Sequence, residues 1–151
     1  MRFRFEETAD IDLLVNVFVQ NDIEVADDEF TGGHTTLEKA YAVYDDEKGG
    51  RLIGAVALAT RLQKTIINGI AVEESYRRTG VASQLLELVM QEAARRGVSE
   101  IWIVARAPLF FEARGFHYIT EQEVPEGLFD CLLCPQYNKD CFPRLMKYEF
   151  H

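Results

Sequence analysis

The stretch from Ile70 to Gly97, IAVEESYRRTGVASQLLELVMQEAARRG, constrains this chain more than any other. It reads as a buried strand (Ile70, Ala71, Val72), a turn carrying Arg77, Arg78, Thr79, Gly80, Val81 and Ala82, and a long amphipathic helix closed by Gly97. Ala82, Leu85, Leu86, Val89 and Ala93 fall on one face of that helix, with Gln84, Glu87, Gln91 and Arg95 opposite. A small-residue turn that leads from a strand straight into a helix is suited to holding an anion. The first helical turn has backbone N–H groups without intrahelical partners, and the aligned peptide dipoles leave partial positive charge there. Gly80 and Ala82 keep side chains clear of the backbone, while Arg77 and Arg78 add charge-assisted donors. The competing reading is an ordinary strand–turn–helix with a glycine for tight packing. No Gly-Lys-Ser/Thr follows the turn and three spaced glycines are absent, so neither a nucleoside-triphosphate loop nor a dinucleotide fingerprint fits.

The 151 residues are enough for one domain with one substantial core, expected to span 1–151. Ten Phe and six Tyr within a chain that is 48% apolar mark a globular protein rather than a disordered one. A formal charge of −9 argues against a nucleic-acid partner, because the phosphate backbone would be repelled. No apolar run approaches membrane-spanning length, and MRFRFEETAD lacks the apolar core of a signal peptide. The expectation is a cytoplasmic protein without a membrane partner. An acidic surface would suit cationic amine substrates, and serves solubility equally well.

Alternation of Phe3 and Phe5 with Arg2, Arg4 and Glu6 predicts a first strand over 1–7. Thr8 to Asp10 offer caps for a helix on which Ile11, Leu14, Val15 and Phe18 share a face. The segment from Ile23 to Ala40, broken by Gly32 and Gly33, is ambiguous between a short helix and a loop. Ala40 to Asp45 and Leu52 to Thr60 read as a hairpin across DDEKGG, with Thr65 to Val72 as a third strand. After the helix over 81–96, Glu100 to Ala105, with its apolar run IWIVA, is a strand of the type buried on both faces. A short helix from Pro108 to Arg114 leads through Gly115 to a strand beginning at Phe116, and a last strand runs from Leu145 to Phe150. The order predicts a mixed α/β sheet flanked by helices.

Arg77-x-x-Gly80-x-Ala82 between a strand and a helix resembles the Q/R-x-x-G-x-G/A signature of the GCN5-related N-acetyltransferases (GNAT). Leu109-Phe110-Phe111-Glu112-Ala113-Arg114-Gly115-Phe116 is similar to that family's late L-Y-E-K-x-G-F segment, at the expected separation. The resemblance implies the single-domain GNAT fold, with a mixed, mostly antiparallel sheet whose fourth and fifth strands splay apart. It implies acetyl-CoA as cosubstrate. Backbone groups of Ile70, Ala71 and Val72 would then bind the pantetheine amides, and Arg77 to Ala82 the pyrophosphate. Phe111 would flank the pantetheine arm and Arg114 would stand near the phosphates, although a solvated cation at a helix end accounts for Arg114 equally well. Family members are often dimers, so a homodimer is an expectation.

Amine attack on a thioester needs an ammonium deprotonated and a thiolate protonated. Here the chain departs from the family. The tyrosine that often serves as acid is Phe111, and Ile66 or Ile67 stands where some members carry a base glutamate. The candidates left for proton handling are Asn68, through an ordered water, Glu73 or Glu74 beyond the strand, and Tyr118, Tyr137 or Tyr148 towards the C-terminus.

The segment 130–151 carries Cys131-x-x-Cys134 and Cys141. These would ligate zinc with a fourth group from His117, His151, Asp130 or Asp140, form a redox pair, or simply pack as free thiols. The run Arg106-Ala107-Pro108-Leu109-Phe110-Phe111, then Pro125, Asp130-Cys131-Leu132-Leu133-Cys134-Pro135, Cys141 and Met146, is similar to short GNAT proteins of the N-acetylglutamate synthase type. That likeness implies an amino-acid α-amine such as glutamate as acceptor, with Arg106 as a carboxylate clamp. The expected function is therefore acetyl transfer from acetyl-CoA to a primary amine, that of a small molecule such as a free amino acid first, with another small amine or a protein N-terminus or lysine as the runner-up acceptor. The alternative is a catalytically silent GNAT domain that binds acyl-CoA as a sensor or interaction module.

Overall fold

Charged and apolar residues alternate from Phe3 to Glu7, and this segment forms β1, the edge of a mixed sheet. In the computed structural model, residues 2–21, 35–125, 128 and 144–150 are described. The remaining elements are α1 (Ile11–Gln20), β2 (Thr35–Asp45), β3 (Arg51–Arg61), β4 (Lys64–Val72), α2 (Val81–Arg95), β5 (Glu100–Ala105), α3 (Pro108–Glu112), β6 (His117–Tyr118) and β7 (Arg144–Glu149). The strands lie in the order β1-β2-β3-β4-β5-β7-β6. All pairs are antiparallel except β4 with β5, which run parallel. Among the described residues no helix is long and apolar enough to cross a membrane.

Alternation along β3 sends successive residues to opposite faces. On one face Ala55 and Ala57, with Ala40 and Ala71, form a shallow seat for Leu14, Val17 and Phe18 of α1. On the other, Val56 and Leu58 join Val43, Ile67 and Val72 beneath Val81, Leu85, Leu86, Val89 and Ala93 of α2. Asp10 caps α1 as expected, accepting from the Leu13 N–H at 3.1 Å.

Three boundaries differ from the sequence reading. β2 starts at Thr35 rather than Ala40, because Glu38 and Lys39 point into ion pairs at the sheet surface and so disguise the strand. α3 ends at Glu112 rather than Arg114: Arg114 and Gly115 donate to Phe111 and Glu112 in tight closing turns, and Gly115 takes φ +94°. The strand expected from Phe116 is only His117 and Tyr118, paired with β7 at Lys147 and Met146. The segment 22–34 lies outside the described residues.

Candidate active site

β4 is paired along its length with β3, from Arg61↔Lys64 to Gly54↔Val72. With β5 it shares a single register pair, Ile66↔Trp102. Beyond that vertex the two parallel strands diverge, as the resemblance implied. The second edge of β4 over 67–72, including Ile70, Ala71 and Val72, therefore has no ladder partner. Backbone donors and acceptors left this way call for a partner.

The vertex has a second irregularity. Gly69 pairs with Ala57 and Ile67 with Leu58, which leaves Asn68 as an extra, bulged residue. Gly69 is required there, because an added Cβ would stand 2.7 Å from the Phe18 ring of α1. Asn68 Nδ2 and Trp102 Nε1 are the buried side-chain donors without a hydrogen-bond partner among the described residues, and both belong to this vertex. Nothing in TIINGIAV marks an extra residue, beyond the presence of an Asn-Gly pair.

The gap leads towards the start of α2. Gly80 is the N-cap, at φ +88°, and no side chain caps the first turn. A Cβ on Gly80 would meet nothing within 4 Å, so the space beside the N-cap is open, and the first-turn N–H groups have no intrahelical partner. Arg78 is also left-handed, at φ +70°, and both Arg77 and Arg78 are exposed. The Arg77 Nε donates to the Val72 carbonyl at 3.3 Å, which ties the turn to the end of β4. Thr79 is turned inward, its hydroxyl donating to the Tyr76 carbonyl at 2.5 Å. Val81 is fully buried, and Ala82 packs partly on the core, so only their backbone groups face the turn.

Arg114 reaches the same place from α3. Its guanidinium stacks 3.8 Å over the Phe110 ring, donates to the Phe110 carbonyl at 2.8 Å and donates to the Ser83 hydroxyl in the first turn of α2. A cation is thus anchored beside the uncapped N–H groups. Ser83 was not anticipated; its role depends on a partner 31 residues away. Phe111 is a core ring, edge-on to both Phe110 and Phe116.

The other expected residues are placed less simply. Both carboxylate oxygens of Glu73 accept from Arg51, at 2.5 and 3.2 Å. Tyr148 sits opposite Ile101 at the beginning of β5, away from the diverging ends, with its ring between Phe116 and Phe150. The Tyr118 hydroxyl donates to Glu112 at 3.1 Å. Arg106 is exposed at the end of β5, on the side where the strands have parted. Cys131, Cys134, Cys141, Asp130, Asp140, Tyr137 and His151 lie outside the described residues, and His117 stands 3.3 Å from Glu149. Among the described residues no three His, Cys, Asp or Glu side chains form a metal-binding group.

Known proteins share this architecture. The model of the acetyltransferase (GNAT) family matches residues 11–117. The chain belongs to that family. An uncharacterized N-acetyltransferase of Chlorobaculum tepidum is 29% identical over 89 residues, 58% of this chain and 57% of that protein. The ribosomal protein bS18-alanine N-acetyltransferase of Escherichia coli K12 is 27% identical over 85 residues, 53% of this chain and 57% of that protein. The chain therefore spans less than two thirds of the length of these curated relatives. Among solved structures, N-acetylglutamate synthase of Neisseria gonorrhoeae, in complex with coenzyme A and N-acetyl-glutamate, superposes with a TM-score of 0.65. It is 18% identical, and the match covers 100% of this chain and 36% of that one, which is a likeness of fold.

Proposed function

We propose that this protein is an acetyl-CoA-dependent N-acetyltransferase whose acceptor is the α-amine of a free amino acid such as glutamate. The observation that carries the reading is the continuity between the unpaired edge of β4 and the uncapped, arginine-flanked start of α2. A pantetheine arm in the gap would give residues 67–72 the backbone partners that β5 does not supply. The first-turn N–H groups, with Arg77, Arg78 and Arg114, would hold the pyrophosphate. When bound, acetyl-CoA supplies an activated thioester carbonyl; the protein's own share is to position it and to manage a proton.

Asn68 is suited to that share. Its buried amide donor is free at the vertex, within the irregular part of β4, to hold a carbonyl oxygen or an ordered water. The α-ammonium of a free amino acid sits beside its own carboxylate and is almost wholly protonated at about pH 7, so a proton must still be taken up in the site. Glu73 is engaged by Arg51 and Phe111 replaces an acidic hydroxyl, so a water held by Asn68 would take that proton. Arg106 at the mouth of the gap would clamp the α-carboxylate. The Neisseria neighbour, solved with an N-acylated α-amino acid, supports the same class of acceptor.

A silent acyl-CoA-binding domain is the second reading, favoured by that same engagement of Glu73. The test is CoA release from acetyl-CoA against free amino acids, polyamines and short peptides, alongside thermal stabilisation by CoA. Release that depends on glutamate or a similar α-amine is the expected result. Stabilisation without release on any amine would favour the silent domain, and the absence of both stabilisation and release would overturn the coenzyme assignment.

A further inference from the structure

The turn that presents the first-turn N–H groups of α2 is braced from beneath by a pair of residues that touch neither of the proposed substrates. Tyr76 is buried, and its hydroxyl donates to Asp45 Oδ2 at 2.7 Å. Asp45 is only 2% exposed, at the end of β2, and its other oxygen accepts from the Glu47 N–H at 3.0 Å. Its cross-strand neighbour is Arg51, but that guanidinium pairs with Glu73 instead. Among the described residues no cation forms an ion pair with Asp45. A carboxylate buried in this way is costly, and two neutral donors are a modest return for it. The hydrogen bond also holds the Tyr76 phenol protonated, raising its pKa, with burial adding to the effect.

From Tyr76 the connection continues upward. Phe3 of β1 meets the Tyr76 ring edge-on at 6.1 Å. The Tyr76 carbonyl accepts from the Thr79 hydroxyl, and Thr79 precedes the N-cap Gly80. Within this short span Arg78 is held at φ +70°, a conformation that side chains with a Cβ resist. A loop in that state keeps its shape only if its surroundings over-determine it.

We propose that Asp45 and Tyr76 are positioning residues for the coenzyme. Asp45 fixes Tyr76, Tyr76 fixes Thr79, and the N–H groups after Gly80 are thereby aimed before the pyrophosphate arrives. The inference rests on the coenzyme assignment above. Preorganisation of this kind is read as affinity for the phosphates rather than as fold stability.

The experiment is calorimetric titration with CoA and with adenosine 3′-phosphate 5′-diphosphate, which keeps the pyrophosphate but lacks the pantetheine arm. Each protein is held well below its melting temperature. Tyr76→Phe keeps the ring and removes the brace; Asp45→Ala removes it from the other side and is the variant at risk of not folding. Tyr76→Phe is expected to weaken both ligands about tenfold, the worth of roughly one hydrogen bond. If Asp45→Ala folds, the double variant should be no weaker than the weaker single one, because the two residues act as one chain. Unchanged affinity in a folded Tyr76→Phe protein, even with a lower melting temperature, would overturn the inference. So would a loss confined to CoA and absent for adenosine 3′-phosphate 5′-diphosphate. A wild type that binds neither ligand removes the coenzyme assignment itself, a result distinct from both.

Discussion

Gly80 holds a left-handed backbone in front of open space, and these two properties act differently on a substituent. Gly80→Val should cost roughly 1–2 kcal/mol of stability through its φ alone, since its Cβ would meet no neighbour. Its side chain would stand before the first-turn N–H groups, so loss of CoA binding by a folded protein is the expected titration result. Arg106→Ala should raise the KM for an amino-acid acceptor much more than that for acetyl-CoA; equal effects would remove the clamp. Glu92 is a third instructive residue. Its side chain is buried on α2, accepts from Arg95 and Arg96, and lies 4.0 Å from Lys39. Hydrogen bonds from Arg95 and then Arg96 lower its pKa to about 2. Because the folded value lies below the unfolded one, the stabilisation is complete above about pH 4.3 and is lost as pH falls towards 2. Glu92→Gln should therefore flatten the decline of melting temperature across that window, measured by calorimetry. The anion-holding role of the turn can be argued from its residue types. The burial of Glu92 cannot, since a glutamate on an amphipathic helix ordinarily reads as part of the solvated face.

At the scale of elements, α1 is seated by one close approach. The Phe18 ring lies where a Cβ on Gly69 would be, directly beside the bulged Asn68. Gly69→Ala should cost about 1–3 kcal/mol in chemical denaturation, because the ring must shift. Phe18→Leu in the same protein should recover part of that loss. The capping residues of α1 and the apolar run of β5 were legible because each element carries its own signal in local chemistry. The turn between β3 and β4 was not legible. Leu62 and Gln63 occupy it at φ 51° and 66°, where glycine or asparagine would announce a tight hairpin. The divergence of β4 from β5 was legible only through family resemblance, since neither strand's sequence says where its neighbour will leave it.

The whole molecule is two part-sheets, β1–β4 and β5–β7–β6, that share one register pair and one apolar core. Hydrogen exchange should reflect this. Amides of β2 and β3 should be the slowest in the ligand-free protein, while those of 67–72 that do not bond to β3 exchange quickly. Saturating CoA should slow the latter group selectively, and equal slowing across the sheet would argue against occupancy of the gap. The chain carries a net −9, yet Arg77, Arg78 and Arg114 stand at the start of α2, where they would draw an anion inward.

A sheet that is incomplete without its ligand ties the protein's persistence to its metabolic surroundings. If the coenzyme supplies the missing strand contacts, its free concentration sets the folded population, adding about 2.7 kcal/mol at one hundred times the Kd. On the proposed function, the enzyme would lose substrate and resistance to proteolysis together when acetyl-CoA is scarce. Its abundance in the cell would then follow the supply of the compound it consumes.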